Sequence, residues 1–181
     1  MIRFRLPVLV LALVFLAGCG FHLRNRIALP SDLGPVRVVG ASTSYSALVT
    51  SLSRGLQAAG ATLAAPPGED AATAEDAQVA TLRIMSERWG DLPIAVDQFG
   101  RAQEFSLRYA VVFAFTKADG TDLVPQQVVE LSRDYVSPPQ DATGTTTERA
   151  VLAEELRREM AASILRRVDG VVRSSPVNAA P

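Results

Sequence analysis

The chain has 181 residues, 18 of them basic and 19 acidic, with one cysteine and one histidine. This length is enough for one domain with a hydrophobic core. A net charge of −1 argues against general nucleic-acid binding, one histidine excludes a multi-histidine metal site, and one cysteine excludes an intramolecular disulfide.

The amino terminus predicts a bacterial export signal. Arg3 and Arg5 precede the apolar stretch Leu6–Leu16, which is too short to span a bilayer comfortably. The run Leu16–Cys19 has the lipobox form, a branched apolar residue and two small ones before cysteine. We therefore expect cleavage before Cys19 and acylation of its thiol and new amino group, which gives a stable membrane anchor. The alternative is an ordinary secretory signal, with Cys19 as a structural thiol.

Removal of the predicted signal peptide, residues 1–18, leaves 16 basic and 19 acidic residues and a net charge near −3. Recognition of an anionic ligand must then be local. Gly20 follows the cysteine, where an aspartate favours retention in the inner membrane during enterobacterial sorting. We therefore expect an outer-membrane lipoprotein whose domain faces the periplasm.

The first elements follow a lipidated tether, residues 19–35. Val36–Val39 predicts a short strand. Apolar residues from Tyr45 to Ala59 recur at spacings of three and four, which predicts a helix that ends at Gly60. The hydroxyl side chains of Ser42–Ser44 offer N-caps for that helix.

An acidic stretch with few bulky apolar residues, 64–78, predicts a mobile surface loop. Val79–Arg88 is strand-like but less cleanly patterned. We expect Trp89–Gly90 and Pro93 to break it, with a loop to Gly100.

The next segment has the clearest pattern in the chain. From Phe105 to Phe115, bulky apolar residues alternate with polar or small ones, which predicts a long strand with one buried face. Asp119–Gly120 predicts a turn, and Val128–Val136 a returning strand that ends before Pro138.

The last element is a predicted helix. Thr145 and Glu148 have the spacing of a capping box, and Gly170 is the expected end of the helix. Residues 170–181 are expected to form a flexible tail. The apolar stripe of this helix consists of Leu152, Leu156, Met160, Ile164 and Val168.

These elements predict a single α+β domain over residues 36–169, in the order β-α-β-β-β-α. Two helices, each with one apolar stripe, are expected to pack on one face of a four-stranded mixed sheet, because the long strand has one apolar face. The first strand–helix–strand unit permits a parallel pair, and the later strands form antiparallel hairpins.

The residues favour a binding protein over an enzyme, and no cofactor motif is present. His22 lies close to the predicted anchor, and Glu154 and Glu155 lie on a helix among arginines, where solvation explains them. Arginine presents a planar fork that suits phosphate. The arginines on or beside strands are Arg83, Arg88, Arg101, Arg108 and Arg133. The alternative is that these arginines are solvated or paired with Glu87, Glu104, Glu130 and Asp134.

The segment Cys19–Arg24, CGFHLR, resembles the start of mature lipoproteins of the LptE family, which is Cys-Gly-[Phe/Trp]-x-Leu-Arg. Gly100–Leu107, GRAQEFSL, is similar to the entry to that family's long central strand. The stretch LSRDYVSPPQ, with Arg133 and Tyr135, is similar to its Arg-x-aromatic strand.

This resemblance implies a plug inside the outer-membrane β-barrel LptD, a role in lipopolysaccharide insertion into the outer leaflet, and direct lipopolysaccharide binding. Enterobacterial members carry basic residues before the long strand and before the last helix. Here the first position has Gln98 with Arg101 nearby, and the second region, TGTTTE, has no lysine. Arg101, and Arg133 as second choice, are therefore the candidate lipopolysaccharide contacts.

Two other functions stay open on the residues alone. A periplasmic lipid-carrier lipoprotein would need a deep apolar cavity, for which few large apolar residues remain once the two helix stripes are packed. A carboxylate-only hydrolase is the other alternative.

Overall fold

Strands and helices follow one another in the predicted order. The computed structural model describes residues 27, 29–30, 33–41, 46–65, 78–137 and 142–174. Its elements are β1 (Val36–Val39), α1 (Ala47–Ala58), β2 (Ala80–Val96), β3 (Ala102–Thr116), β4 (Asp122–Val136) and α2 (Ala142–Ser174). The predicted fold class, two helices with a four-stranded mixed sheet, is confirmed.

The strands lie in the order β1-β2-β3-β4. β1 pairs with β2 in parallel, because α1 carries the chain back between them, and the other two pairs are antiparallel. Gly100 and Gly120 close the two hairpin turns with positive φ angles of 75° and 84°, which glycine adopts without strain.

The core lies between the sheet and the helices. The odd-numbered residues of β3 from Leu107 to Phe115 are all fully buried, as the alternation predicts. The α2 stripe from Leu156 to Val168 packs with them in one cluster, together with Leu48, Leu52 and Leu56 of α1. Each large side chain buried here contributes about 1.5–3 kcal/mol.

The predicted break in β2 is wrong, because the strand runs unbroken to Val96. β1 pairs only with Ala80–Arg83, so the rest of β2 has a neighbour, β3, on one side only. Pro93 lacks an N–H group, which costs little at such a free edge, and the register shifts beside it. The predicted loop to Gly100 is reduced to a short turn.

β4 begins at Asp122, six residues before the predicted start. Pro125 lies in this added part. Its position on an edge strand and the register shifts near Val124 explain why proline is tolerated there.

The ends of the helices differ from prediction. The Oγ of Ser46 accepts a hydrogen bond from the Val49 N–H at 3.1 Å and caps α1, whereas Ser42–Ser44 and Tyr45 lie outside the described residues. α2 begins three residues before Thr145, so the predicted capping box is wrong.

α2 also continues past Gly170 to Ser174, so the predicted helix end is wrong. Val172 is buried and extends the apolar stripe by one turn, which keeps this part of the helix on the core. Residues 175–181 lie outside the described part of the chain, as do Cys19, the signal peptide and positions 66–77 of the acidic stretch.

The end of the predicted tether contacts the core. Leu33 is only 4% exposed, and Ile27 and Leu29 pack partly against the same cluster. The folded part of the chain therefore includes residues that precede β1.

Gly55 of α1 lies against Leu165 of α2. A methyl group there would collide with Leu165 of α2, whereas Gly170 faces open space. We expect Gly55→Val to lower the free energy of unfolding by about 1–3 kcal/mol through overpacking. Urea denaturation of Gly55→Val and of the matched Gly170→Val measures this. Equal stability of the two variants would contradict close packing at Gly55.

Candidate functional site

The turn of the β2–β3 hairpin lies on the surface. We call residues 92–105 the hairpin tip. Leu92, Ile94, Val96 and Phe99 are all exposed there, Phe99 to 72%. Exposed apolar side chains clustered in this way mark a surface that contacts another molecule.

Arg101 is held in position at the base of the tip turn. Asp97 accepts hydrogen bonds from the backbone N–H groups of Phe99 at 2.8 Å and Arg101 at 2.9 Å, and from the Arg101 Nε at 2.8 Å. The backbone bond from Arg101 is the main cause that lowers the pKa of Asp97. The Arg101 guanidinium lies 5.2 Å from the Phe99 ring centroid, and its side chain is 59% exposed. It is oriented toward solvent and accessible to an anion.

Arg133 lies in a different environment, on the helix-facing side of β4. Its guanidinium contacts Glu159 at 2.6 Å and Glu155 at 3.5 Å, both on α2. Arg133 pairs in register with Leu107, six residues along β3 from Arg101, which is about 20 Å. The structure therefore does not bring the two candidate arginines together.

A cluster around Asp91 was not identified from the sequence. Its carboxylate accepts hydrogen bonds from the Tyr135 hydroxyl at 3.0 Å and from the Arg149 Nε and Nη2 at 2.9 and 2.8 Å. The Arg149 guanidinium lowers the pKa of Asp91, and partial burial raises the pKa of Tyr135. The cluster joins β2, β4 and the first turns of α2 where the hairpin tip begins.

An aromatic pair lies next to this cluster. The Trp89 and Tyr109 rings stack with centroids 3.8 Å apart, and the Arg157 guanidinium lies 5.2 Å from the Trp89 centroid. The Tyr109 hydroxyl donates to Glu87 at 2.8 Å, and burial raises the pKa of Tyr109. These contacts hold α2 against the sheet.

Among the residues that the structure describes, no three histidine, cysteine, aspartate or glutamate side chains are placed to hold a metal ion. None of the described helices combines the length and apolarity that a membrane span requires.

A family model described as "LptE: Lipopolysaccharide-assembly" matches residues 33–168. The chain belongs to the LptE family. Curated relatives are named LPS-assembly lipoprotein LptE. The protein from Pectobacterium atrosepticum is 27% identical over 92% of this chain and 86% of the relative. The one from Yersinia pestis (strain Pestoides F) is 29% identical over 92% of this chain and 76% of its own length.

Two solved structures share the fold. Lipoprotein B from Nitrosomonas europaea has a TM-score of 0.66 at 18% identity and covers 88% of this chain and 97% of its own. The rare lipoprotein B from Shewanella oneidensis has a TM-score of 0.58 at 22% identity, with 79% and 97% covered. At these identities the likeness shows the LptE-like fold alone.

The Asp91 cluster predicts acid-sensitive stability. The folded-state pKa of Asp91 is lowered, so its contribution is present at neutral pH and is lost as the pH falls through that pKa. We expect Asp91→Asn to cost about 1 kcal/mol at pH 7, because the carboxylate is partly exposed. The difference from wild type should shrink toward pH 3.

Urea denaturation at pH 7, 5 and 3 measures this difference. Asp134→Asn is the matched control, since Asp134 lies on β4 with no contact of this kind in the described chain. A cost for Asp91→Asn that is the same at pH 3 and pH 7 would contradict the role given to the ionised carboxylate.

Proposed function

We propose that this protein is an outer-membrane lipoprotein, anchored through Cys19, that fills the lumen of an LptD-like β-barrel and assists lipopolysaccharide insertion into the outer leaflet. The observation that carries the proposal is LptE-family membership over residues 33–168, with relatives named as LPS-assembly lipoproteins. The domain would face the periplasm and extend into the barrel.

The dimensions of the domain support this proposal. β2 has 17 residues and is about 56 Å long, whereas the apolar band of an outer-membrane barrel is about 25 Å tall. A plug of this length spans the lumen with its hairpin tip at one end. The exterior carries mostly polar residues, which suits the polar interior of a wide barrel.

The filled interior argues for the plug over a lipid carrier. A carrier needs an apolar cavity large enough for acyl chains. Between the described sheet and helices, Phe113, Phe115, Leu156 and Met160 are all fully buried in one continuous cluster. These side chains occupy the space between the sheet and the helices that the acyl chains of a carried lipid would need.

Co-purification tests the barrel partnership. We expect the carboxyl-tagged protein, extracted from the outer membrane in mild detergent, to bring down one β-barrel per chain. Cys19→Ala should lack the added acyl mass in intact-protein mass spectrometry. A barrel-free monomer would contradict the plug, and an unacylated wild-type Cys19 would contradict the anchor.

Direct lipopolysaccharide contact is proposed for Arg101 first and Arg133 second. Arg101 is 59% exposed and pairs through its Nε with one carboxylate, that of Asp97, whereas the Arg133 guanidinium contacts two glutamates. We expect Arg101→Glu to weaken lipopolysaccharide binding by about tenfold and to reduce its salt dependence, with a smaller effect of Arg133→Glu. Arg166→Glu, at an exposed position of α2, is the charge-matched control. Unchanged affinity and salt dependence for Arg101→Glu would remove that assignment.

A further inference from the structure

The helices cover only one side of the sheet. We call the other side the uncovered face. The even-numbered residues of β3 from Glu104 to Thr116 lie on it, together with their cross-strand neighbours on β2 and β4. Strands that pair in register place opposed side chains on the same face, so the composition of this surface follows from the pairing.

A bulge in β2 places two arginines on the uncovered face. Arg83 pairs with Ala114 and Arg88 with Ala110, and both alanines lie on that face. Residues five apart in a regular strand would point to opposite sides. The register shift between Ile84 and Ser86 adds one residue, which turns Arg88 to the same side as Arg83.

The uncovered face is divided by charge. Arg83 and Arg88 on β2 are exposed, and neither makes an ion pair within the described part of the chain. Glu130 and Asp134 lie on the same face of β4, and Glu130 is about 10 Å from Arg88 across two strand spacings. The contact between the halves is a single long ion pair, Arg108 to Glu130 at 3.5 Å.

Apolar side chains separate the two charged halves. Val112 on β3 pairs with Val128 on β4, and Val128 is 58% exposed. Met85, at the bulge, is 46% exposed. A surface with an apolar centre between charged margins has the composition of a protein-binding interface.

The two signs on one face decide the class of partner. A nucleic acid or an anionic lipid surface carries one sign, so its attraction to β2 would be opposed by repulsion from Glu130 and Asp134. A partner that satisfies both halves carries both signs, as a protein wall does. Lipopolysaccharide phosphates do not fit this surface as a whole.

A second copy of this chain matches the surface only in part. Two copies could place their uncovered faces together about a two-fold axis parallel to the strands. Arg88 of one copy would then lie opposite Glu130 of the other, because both residues pair with Ala110 of their own β3. Arg83 would be opposite the Val124–Gln127 stretch, which has no acidic residue. Self-association therefore leaves one arginine unmatched.

We infer that the uncovered face is the surface that docks against the lumen wall of the barrel, with Arg83 and Arg88 opposite carboxylates of the wall and Glu130 and Asp134 opposite basic residues. This inference rests on the proposed function, because it names which surface of the plug meets its partner. The helix side of the sheet is a separate surface.

Two double charge-reversal variants test this inference. The measurement is the amount of barrel that co-purifies with each variant from detergent-extracted outer membranes. We expect Arg83→Glu/Arg88→Glu to reduce the barrel recovered per chain at least tenfold. Glu130→Lys/Asp134→Lys should also reduce it, because the wall opposite β4 is basic. The matched control, Arg158→Glu/Arg166→Glu, reverses two exposed arginines of α2 and should stay within twofold of wild type.

Three results would overturn the inference. Unchanged recovery for both uncovered-face variants leaves the plug function intact and removes this surface from it. Stronger barrel recovery for Glu130→Lys/Asp134→Lys would mean that the partner surface is acidic opposite the whole uncovered face. A concentration-dependent dimer of the purified protein that Arg83→Glu/Arg88→Glu abolishes makes the face a contact between copies.

Two further measurements separate the causes of a loss. Recovery of no barrel by the wild-type chain rejects the proposed function itself, whatever the variants do. If Arg83→Glu/Arg88→Glu has a lowered melting temperature, the neutral double variant Arg83→Gln/Arg88→Gln is used instead. We expect it to reduce barrel recovery by a smaller factor. Unchanged recovery for this variant would contradict the inference.

Discussion

The burial of one side of β3 is the constraint on which the rest of the structure depends. β3 is hydrogen-bonded to a neighbour on each edge, and its side chains from Leu107 to Phe115 alternate between core and surface without interruption. The aromatic and leucine side chains of this strand therefore all point to one side. Both helices must cover that side, and no described helix covers the opposite face of the sheet.

The same constraint explains where the covered part of the sheet ends. Toward the hairpin tip the apolar alternation stops after Phe105, and α2 begins close to that level. Asp91, Tyr135 and Arg149 meet at this boundary through charge-assisted hydrogen bonds, which tolerate partial exposure better than apolar packing does. Beyond them the tip exposes Leu92, Ile94, Val96 and Phe99, which are available to a partner.

Much of the fold could be predicted from local pattern. The alternation in β3 and the four-residue stripe from Leu156 to Val168 follow single periodicities, and both are confirmed by burial. The predicted break at Trp89–Gly90 and Pro93 was wrong, because the effect of glycine and proline on a strand depends on which strands pair with it. Proline and glycine break a central strand, but the pairing shows that this part of β2 is an edge.

The candidate surfaces were less predictable, for the same reason. Asp91 is 44 residues from Tyr135 and 58 from Arg149 along the chain, and no local pattern joins them. The bulge that brings Arg83 and Arg88 to one face is visible only in the register of β2 against β3. Arg101 was chosen by resemblance to the basic residues that enterobacterial members carry before the long strand. The partners of Arg133 lie on a helix that is distant in sequence.

The connections between strands also set an order of assembly. β2, β3 and β4 are joined by tight turns, so their pairing closes short loops, which is fast. β1 instead joins through Val36 to Ala80, across a segment that contains a whole helix. The three-stranded meander is thus expected to form first, with β1 docking afterwards. Residues that precede β1 would then be the last to be incorporated, so the proposed attachment of Cys19 to lipid would not constrain the strands that pair first.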